Sequence, residues 1–363
     1  MKSPLKRRKF IGFTSALLGS LVLKACGNND NSTSTNSENP TFQTEEQKTT
    51  ETQNPLKIAI VLPGIITDKA WNQTGYEGVK LTQEKLGAEI AYIEQVSQAD
   101  QAETLADFAR RGYNLVYAHG GQFDAAIQQV ARQFPDTFFI GVNGAVEGEN
   151  IASLRIDHLQ GSYLCGMLGA MMTKSNQMAY ITAQSFQATN EELRGFELGA
   201  KSINPDIKIT SSYTGDWNDA AKAKEATLAL ISSGADVVYQ WLDNASPAVL
   251  QTAQEKGVYA FGNTVDQLNI APEAVLTTPV KRLDLAINYI AELVTKNELE
   301  GKIYSLGLDY PDILYLGEFN EVVTDDMIAK INDVKQEIIT KKITFEPCQK
   351  DGKSTLCVNK TVS

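Results

Sequence analysis

Two short segments hold the residues best suited to chemistry. They are Asp68, Trp71 and Asn72 in "LPGIITDKAWNQTGYEG", and Asp216, Trp217 and Asn218 in "YTGDWNDAAKAKE". Each sets a large aromatic ring among carboxylates and amides in a polar stretch. The chain has only three tryptophans, so two of them in polar loops ask for a function. An aromatic face stacks on a flat ring, and neighbouring carboxylates and amides hydrogen-bond along that ring's edge. Further residues of these types are Gly121 and Phe123 in "AHGGQFDAA", Phe186 and Asn190 in "AQSFQATNEELRGF", and Gln240, Asp243 and Asn244 in "QWLDNASP". Asn263, Thr264 and Asp266 in "FGNTVDQ", with Thr278 and Lys281 in "TTPVKR", complete them. The candidate ligand-binding set is Asp68, Trp71, Asn72, Gly121, Phe123, Phe186, Trp217, Gln240, Asp243, Asp266 and Lys281. Together they suit capture of a flat, neutral, hydrogen-bonding heterocycle.

Each member also has a structural reading. Phe123 opens a helix, where a hydrophobic staple is common. Asp68 and Asp219 suit helix N-caps. Trp241 falls inside a strand, as core tryptophans do, and Trp71 can pack lobe against lobe as well as hold a ligand. Catalysis has little support. The chain has only two histidines, His119 and His158, with no Gly-x-Ser-x-Gly elbow, phosphate loop or metal-ligand cluster. Carboxylates alone can hydrolyse a glycosidic bond, but nothing in the spacing pairs them. The expectation is a binding protein, not an enzyme, with no cofactor and no metal.

Loops of this kind need strands and helices to hold them. Strand-length apolar runs occur at Lys57–Leu62, Glu89–Ile93, Leu115–Ala118, Phe138–Val142 and Ile151–Arg155, and again at Met178–Thr182, Ile207–Tyr213, Val237–Trp241, Val258–Phe261 and Val275–Thr277. Helical patterns lie between them: Tyr76–Leu86, Gln101–Arg111, Asp124–Gln133, Asn190–Ile203, Ala220–Ser233 and Pro247–Lys256. This βαβα order, run twice, predicts an α/β protein of two doubly wound parallel sheets. Helix Gly161–Thr173 links the two series, and helix Leu283–Lys296 follows them. The expected lobes are 55–158 with 278–301, and 159–277 with 302–363, joined by a hinge of several strands. Ligands bind at the carboxyl ends of such strands, which is where the candidate loops fall.

The start of the chain reads as an address. Residues 1–25 hold six Lys or Arg and no acid, and the fourteen residues Phe10–Leu23 are apolar or small. That run is too short to span a bilayer, which takes ~20 residues, and suits a signal peptide. Lys6-Arg7-Arg8-Lys9-Phe10-Ile11 looks like a twin-arginine motif. Leu23-Lys24-Ala25-Cys26 resembles a lipobox with Cys26 as lipidation site, although Lys24 departs from its usual small or apolar residue; an ordinary signal with an incidental Cys is the alternative. Residues 26–54, nearly all polar, read as a disordered tether. The folded part is then expected outside the cell membrane, held to it by lipid. Removing residues 1–25 takes six of the 33 basic and none of the 44 acidic residues, leaving a net charge of −17. No basic stripe remains for nucleic acid. Roughly 310 residues are enough for two lobes. Cys165 suits a buried apolar helix. Cys348 and Cys357 flank a tight-turn sequence, either as a disulfide across a terminal hairpin or as two free thiols.

The segments "LPGIITDKAWNQTGYEG", "LRIDHLQGSYLCGMLGAMMTKSN", "GFELGAKSINP", "GADVVYQ" and "VLTTPVKR" resemble, in order over about residues 56–300, those of the basic membrane lipoprotein family. The resemblance implies the type I periplasmic-binding-protein fold and a substrate-binding lipoprotein of an ABC transporter, several of which bind purine nucleosides. It implies Trp71 as the stacking aromatic, Asp68 and Asn72 on the base edge, and Lys281 on the ribose side. An ABC permease is the implied partner, and the chain is expected to be a monomer. Thr264 stands where the nucleoside-binding branch has a carboxylate, and Asp243-Asn244 where it is glycine-rich. Trp71, "YTGDW" and Gln240–Asp243 look more like a branch associated with free purine bases. A ligand-sensing lipoprotein of the same fold is the alternative. The export signal and the missing DNA-binding head argue against a repressor of related fold.

Overall fold

Buried pentapeptides rich in β-branched residues, such as KIAIV at Lys57–Val61, alternate with helices along most of the chain. Parallel strands covered on both faces require this composition. The computed structural model describes residues 55–68, 71–350 and 353–361. The expected signal, Cys26 and tether lie outside the described residues.

The first series is β1 (Lys57–Val61), α1 (Trp71–Leu86), β2 (Glu89–Ile93), α2 (Gln101–Arg110), β3 (Leu115–His119), α3 (Asp124–Ala131), β4 (Phe138–Val142) and β5 (Ile151–Ile156). The second is α4 (His158–Met172), β6 (Gln177–Thr182), α5 (Gln187–Ile203), β7 (Lys208–Tyr213), α6 (Ala220–Ser232), β8 (Val237–Trp241), α7 (Ser246–Glu255) and β9 (Tyr259–Phe261). The chain continues through β10 (Pro279–Lys281), α8 (Leu283–Thr295), β11 (Ile303–Leu306), β12 (Leu314–Leu316), α9 (Asp325–Ile339), β13 (Ile343–Lys350) and β14 (Lys353–Lys360).

The first sheet runs β2-β1-β3-β4-β5-β11 and the second β7-β6-β8-β9, all parallel. In each, the strand order reverses beside its first strand, between β1 and β3 and between β6 and β8. Such switch points open a crevice at the carboxyl ends of the strands. Two parallel sheets with helices on their faces make the two lobes of a type I periplasmic-binding-protein fold.

The lobes share the chain. After β5, α4 packs on α5 in the second lobe. The contact is backbone-close, because a Cβ on Gly199 would lie 1.9 Å from the Tyr163 carbonyl oxygen. After β10, α8 returns to pack on α1 and leads into β11 beside β5. β12 then pairs antiparallel with β10, and α9 packs on α4.

Three expectations meet a clear outcome here. The second lobe does not resume at residue 302: β11 completes the first sheet, because α8 is a crossover whose strand pairs with β5. Val275–Thr277 is not a strand. Val275 makes a single bridge to Ala260, and Asn320 Nδ2 takes the Pro272 and Val275 carbonyls at 2.6 and 2.8 Å. Cys348 and Cys357 form a disulfide across β13–β14, and Cys165 is buried.

Candidate functional site

The loop after β1 is built around Asp68. Its carboxylate accepts from the Asn72 and Gln73 backbone N–H groups at 2.9 and 3.0 Å and from Asn72 Nδ2 at 2.7 Å, capping α1. Asn72 Oδ1 in turn accepts from the Gly64 N–H at 3.0 Å. Asp68 and Asn72 are therefore spent largely on fixing the first turn of α1. What they fix is Trp71, the first residue of that helix.

Trp71 stacks on His119 at the end of β3, with ring centroids 4.2 Å apart and planes 24° apart. His119 Nε2 lies 2.8 Å from the Trp71 carbonyl oxygen, so Nε2 carries the proton and donates. Burial holds the imidazole down at about 4 and therefore neutral at pH 7. Trp71 remains partly exposed above it.

In the second lobe, Phe186 precedes α5 and Trp217 precedes α6. Their rings are parallel within 8°, centroids 6.3 Å apart, and Phe186 is 53% exposed. The Trp217 carbonyl accepts from the Asp243 N–H at 3.1 Å, which ties this loop to the one after β8. Asn244 Nδ2 donates to Asn218 Oδ1 at 2.8 Å and, across the cleft, to the Asp68 backbone carbonyl at 3.2 Å. The two tryptophan loops thus meet. Burial, then the nearby Asp68 charge, pushes the Asp243 carboxyl up to about 6. A second link joins the lobes: Arg155 of β5 pairs with Glu191 of α5 at 2.6 Å.

Beneath the aromatic loops lies a buried polar network. Lys281 Nζ donates to Glu192 Oε2 and to Asn263 Oδ1, the latter at 2.8 Å, and sits 4.0 Å from the centre of the Trp241 ring. His158 packs on the same tryptophan, ring centroids 4.7 Å apart, and both its ring nitrogens lack a partner. Burial first, then Lys281 and Arg155, pushes the His158 imidazole well down, so it is neutral.

The expected residues divide accordingly. Asp68, Trp71, Trp217 and Asp243 come together around the meeting of the lobes, with Asn72 behind them and Phe186 against Trp217. Gly121 is exposed and lets the Asn143 backbone approach closely, since a Cβ there would lie 2.8 Å from the Asn143 carbonyl oxygen. Phe123 is wholly inside the first-lobe core, as a helix-start staple is, and offers the cleft no surface. Gln240 is fully buried, bonded to Gln267 and to the Leu242 N–H. Asp266 points away from the aromatic loops, bracing the Leu268 and Glu318 N–H groups at 3.1 Å. Lys281 faces the network, not open cleft. Sequence reasoning missed Arg155, Glu191, Glu192 and the support from His119. Glu192 had a signal: it shares the buried face of α5 with Thr189, Gly195, Phe196 and Gly199, and a carboxylate on such a face needs a partner.

Among the described residues no group of acids, histidines and cysteines is arranged to hold a metal. Residues 56–349 match the family described as ABC transporter substrate-binding protein PnrA-like, Bmp. The chain belongs to that family. Bmp proteins are solute-binding proteins and not enzymes. The transcriptional activator protein Med of Bacillus subtilis (strain 168) is 32% identical over 276 residues, 76% of this chain and 86% of that protein. A purine-binding protein of Brucella abortus (strain 2308) is 30% identical over 232 residues, covering 63% of this chain and 65% of its own. The crystal structure of an ABC transporter solute-binding protein from Aeropyrum pernix K1 has a TM-score of 0.69 at 19% identity, over 82% of this chain and 95% of that one. It shares the Bmp chain's fold.

Proposed function

We propose that this Bmp protein is an exported, lipid-anchored receptor of an ABC importer that captures a purine base or nucleoside between its lobes. The observation that carries the reading is the contact chain from Asp68 through Asn244 to Asn218. It brings Trp71 of one lobe and Trp217 of the other to the same mouth. Two aromatic faces from opposite lobes can enclose a flat ring, with the Asp243 carboxylate at its edge. The similarity to a purine-binding protein supports the same ligand class. Cys26 would carry the lipid, a membrane permease would receive the ligand, and the chain would act as a monomer.

Thermal melting against purine bases, nucleosides, sugars and amino acids tests this. A ligand at 100 times its dissociation constant adds ~2.7 kcal/mol, a readily measured shift. If no purine raises the melting temperature, the ligand assignment fails.

A second reading is a ligand sensor of the same fold, favoured by the similarity to a transcriptional activator. Uptake of labelled purine that is lost on deletion supports the importer; intact uptake with altered transcription supports the sensor.

A further inference from the structure

The floor of the cleft is closed on itself. Glu192 is fully buried and Lys281 is 5% exposed. An ammonium has three N–H bonds, and here Glu192 Oε2, Asn263 Oδ1 and the face of Trp241 account for them. Glu192 Oε1 accepts from Asn263 Nδ2 at 2.6 Å and from the Tyr180 hydroxyl at 3.4 Å. Asn263 Nδ2 also reaches the Gln240 carbonyl at 3.0 Å. Gln240 Nε2 donates to Gln267 Oε1 at 3.0 Å, and that oxygen accepts from the Asn263 N–H at 2.9 Å.

Thr264 belongs to this closure. It is held at φ 68°, a strained conformation for a β-branched residue. Its hydroxyl donates to Asn263 Oδ1 at 3.1 Å, and its carbonyl accepts from the Lys281 N–H at 2.9 Å. The backbone is bent so that the hydroxyl serves the network.

We infer that Glu192 sets the ligand class: by holding Lys281 and Asn263 in the network it withholds them from a sugar, so the site takes a free purine base in preference to its nucleoside. The inference rests on the purine reading above. A vicinal diol is bound best by a carboxylate that accepts from both hydroxyls or by a charged donor with free N–H bonds. The Glu192 carboxylate and the Lys281 ammonium are both committed to each other and to Asn263. What the mouth of the cleft still offers is the partly exposed rings of Trp71 and Trp217 and the Asp243 carboxylate, which no hydrogen bond from a described side chain engages. A free purine has an imidazole N–H that the glycosidic bond removes in a nucleoside, and a carboxylate is the natural acceptor for it. Glu192 touches no ligand in this scheme and acts as a positioning residue.

Titration calorimetry of the wild type, Glu192→Gln and Glu192→Gln/Lys281→Met with adenine, hypoxanthine and guanine, and with their nucleosides, tests this. The wild type should bind at least one base about tenfold more tightly than its nucleoside. In Glu192→Gln, where Lys281 loses its counter-charge, the base-to-nucleoside ratio should move about tenfold toward the nucleoside. The double variant, with no lone buried charge, should return toward the base. A merely structural role for Glu192 moves both affinities together, and an unchanged ratio in a folded Glu192→Gln overturns the inference. So does a wild type that prefers nucleosides, a result that needs no variant to fold. A wild type that binds no purine overturns the reading beneath and this inference with it.

Discussion

Arg155 of the first lobe grips Glu191 of the second, its Nη2 2.6 and 2.7 Å from the two carboxylate oxygens. The next residue of the same helix, Glu192, holds Lys281. Consecutive acids on α5 thus serve two ends, one tying the lobes together and one sealing the floor between them. The Arg155–Glu191 pair bridges the two lobes, so it stabilises the arrangement in which they lie together. It is half-buried, which places its worth at about 1 kcal/mol, between exposed and buried charged pairs. Glu191→Gln should therefore speed ligand dissociation about fivefold and raise the mean radius of gyration of the free protein. Stopped-flow release and small-angle scattering check this, and no change in either removes the pair from the closing motion.

Trp71 owes its orientation to two supports, the Asp68 cap below its helix and the His119 ring behind its face. Replacing Trp71 with Ala should weaken purine binding by ~1–3 kcal/mol, the usual range for base–aromatic stacking. His119→Ala, which leaves the indole in place but removes its backing, should cost part of that. His119→Phe should restore the stacking surface while losing the Nε2 bond to the Trp71 carbonyl. Calorimetry on the three variants orders them. Full affinity in Trp71→Ala would make the tryptophan a packing residue between the lobes.

Asp243 gives the ligand-free protein a pH dependence whose sign is fixed. Its carboxyl is raised from 3.8 to about 6 by burial and by Asp68. Between those values the folded form holds a proton that the unfolded chain has lost. Stability contributed at this site is therefore greatest below pH 3.8, falls as pH rises to about 6, and is level above. Allowing for its partial exposure, the change is on the order of 2 kcal/mol. Melting temperatures of wild type and Asp243→Asn, subtracted across pH, isolate it. A flat difference between pH 4 and 6 would show that the Asp243 carboxyl is not buried beside Asp68 in solution.

Most of the two sheets was legible because parallel strands and their helices carry strong periodicity. Phe138–Val142 and Val237–Trp241 fall where the apolar runs place them. Asp219 caps α6 as its position before an apolar helix implies. The crossing segments were harder. β11 and β12 are short, Leu314–Leu316 only three residues, and they pair with strands more than 30 residues away, so no local pattern marks them. The site was half legible for the same reason. Trp71 and Trp217 stand out as aromatics in polar loops. Whether Lys281 faces a ligand or Glu192 depends on a contact between residues 89 positions apart, which spacing alone does not carry. Phe123 lay in a candidate loop yet points into the core, because a helix start in a buried layer presents one face inward.

The disulfide separates stability from binding. Cys348–Cys357 staples the β13–β14 hairpin, whose Leu356 carbonyl accepts from Arg194 Nη2 and Nε of α5 at 2.8 and 3.3 Å, and whose Phe345 packs edge-on against Tyr163 of α4. The hairpin therefore clasps the outer side of the second lobe. Opening a loop this small removes about 2–3 kcal/mol in the chain-entropy account. Cys348→Ser/Cys357→Ser should lower the melting temperature by several degrees while leaving the purine dissociation constant within about twofold, because the stacking rings and the Asp243 carboxylate stand on other elements. Melting and calorimetry on the same variant decide the matter. A loss of affinity that matches the loss of stability would mean that Arg194 transmits the hairpin's order along α5 to Glu191 and Glu192, and that the clasp is part of the closing device.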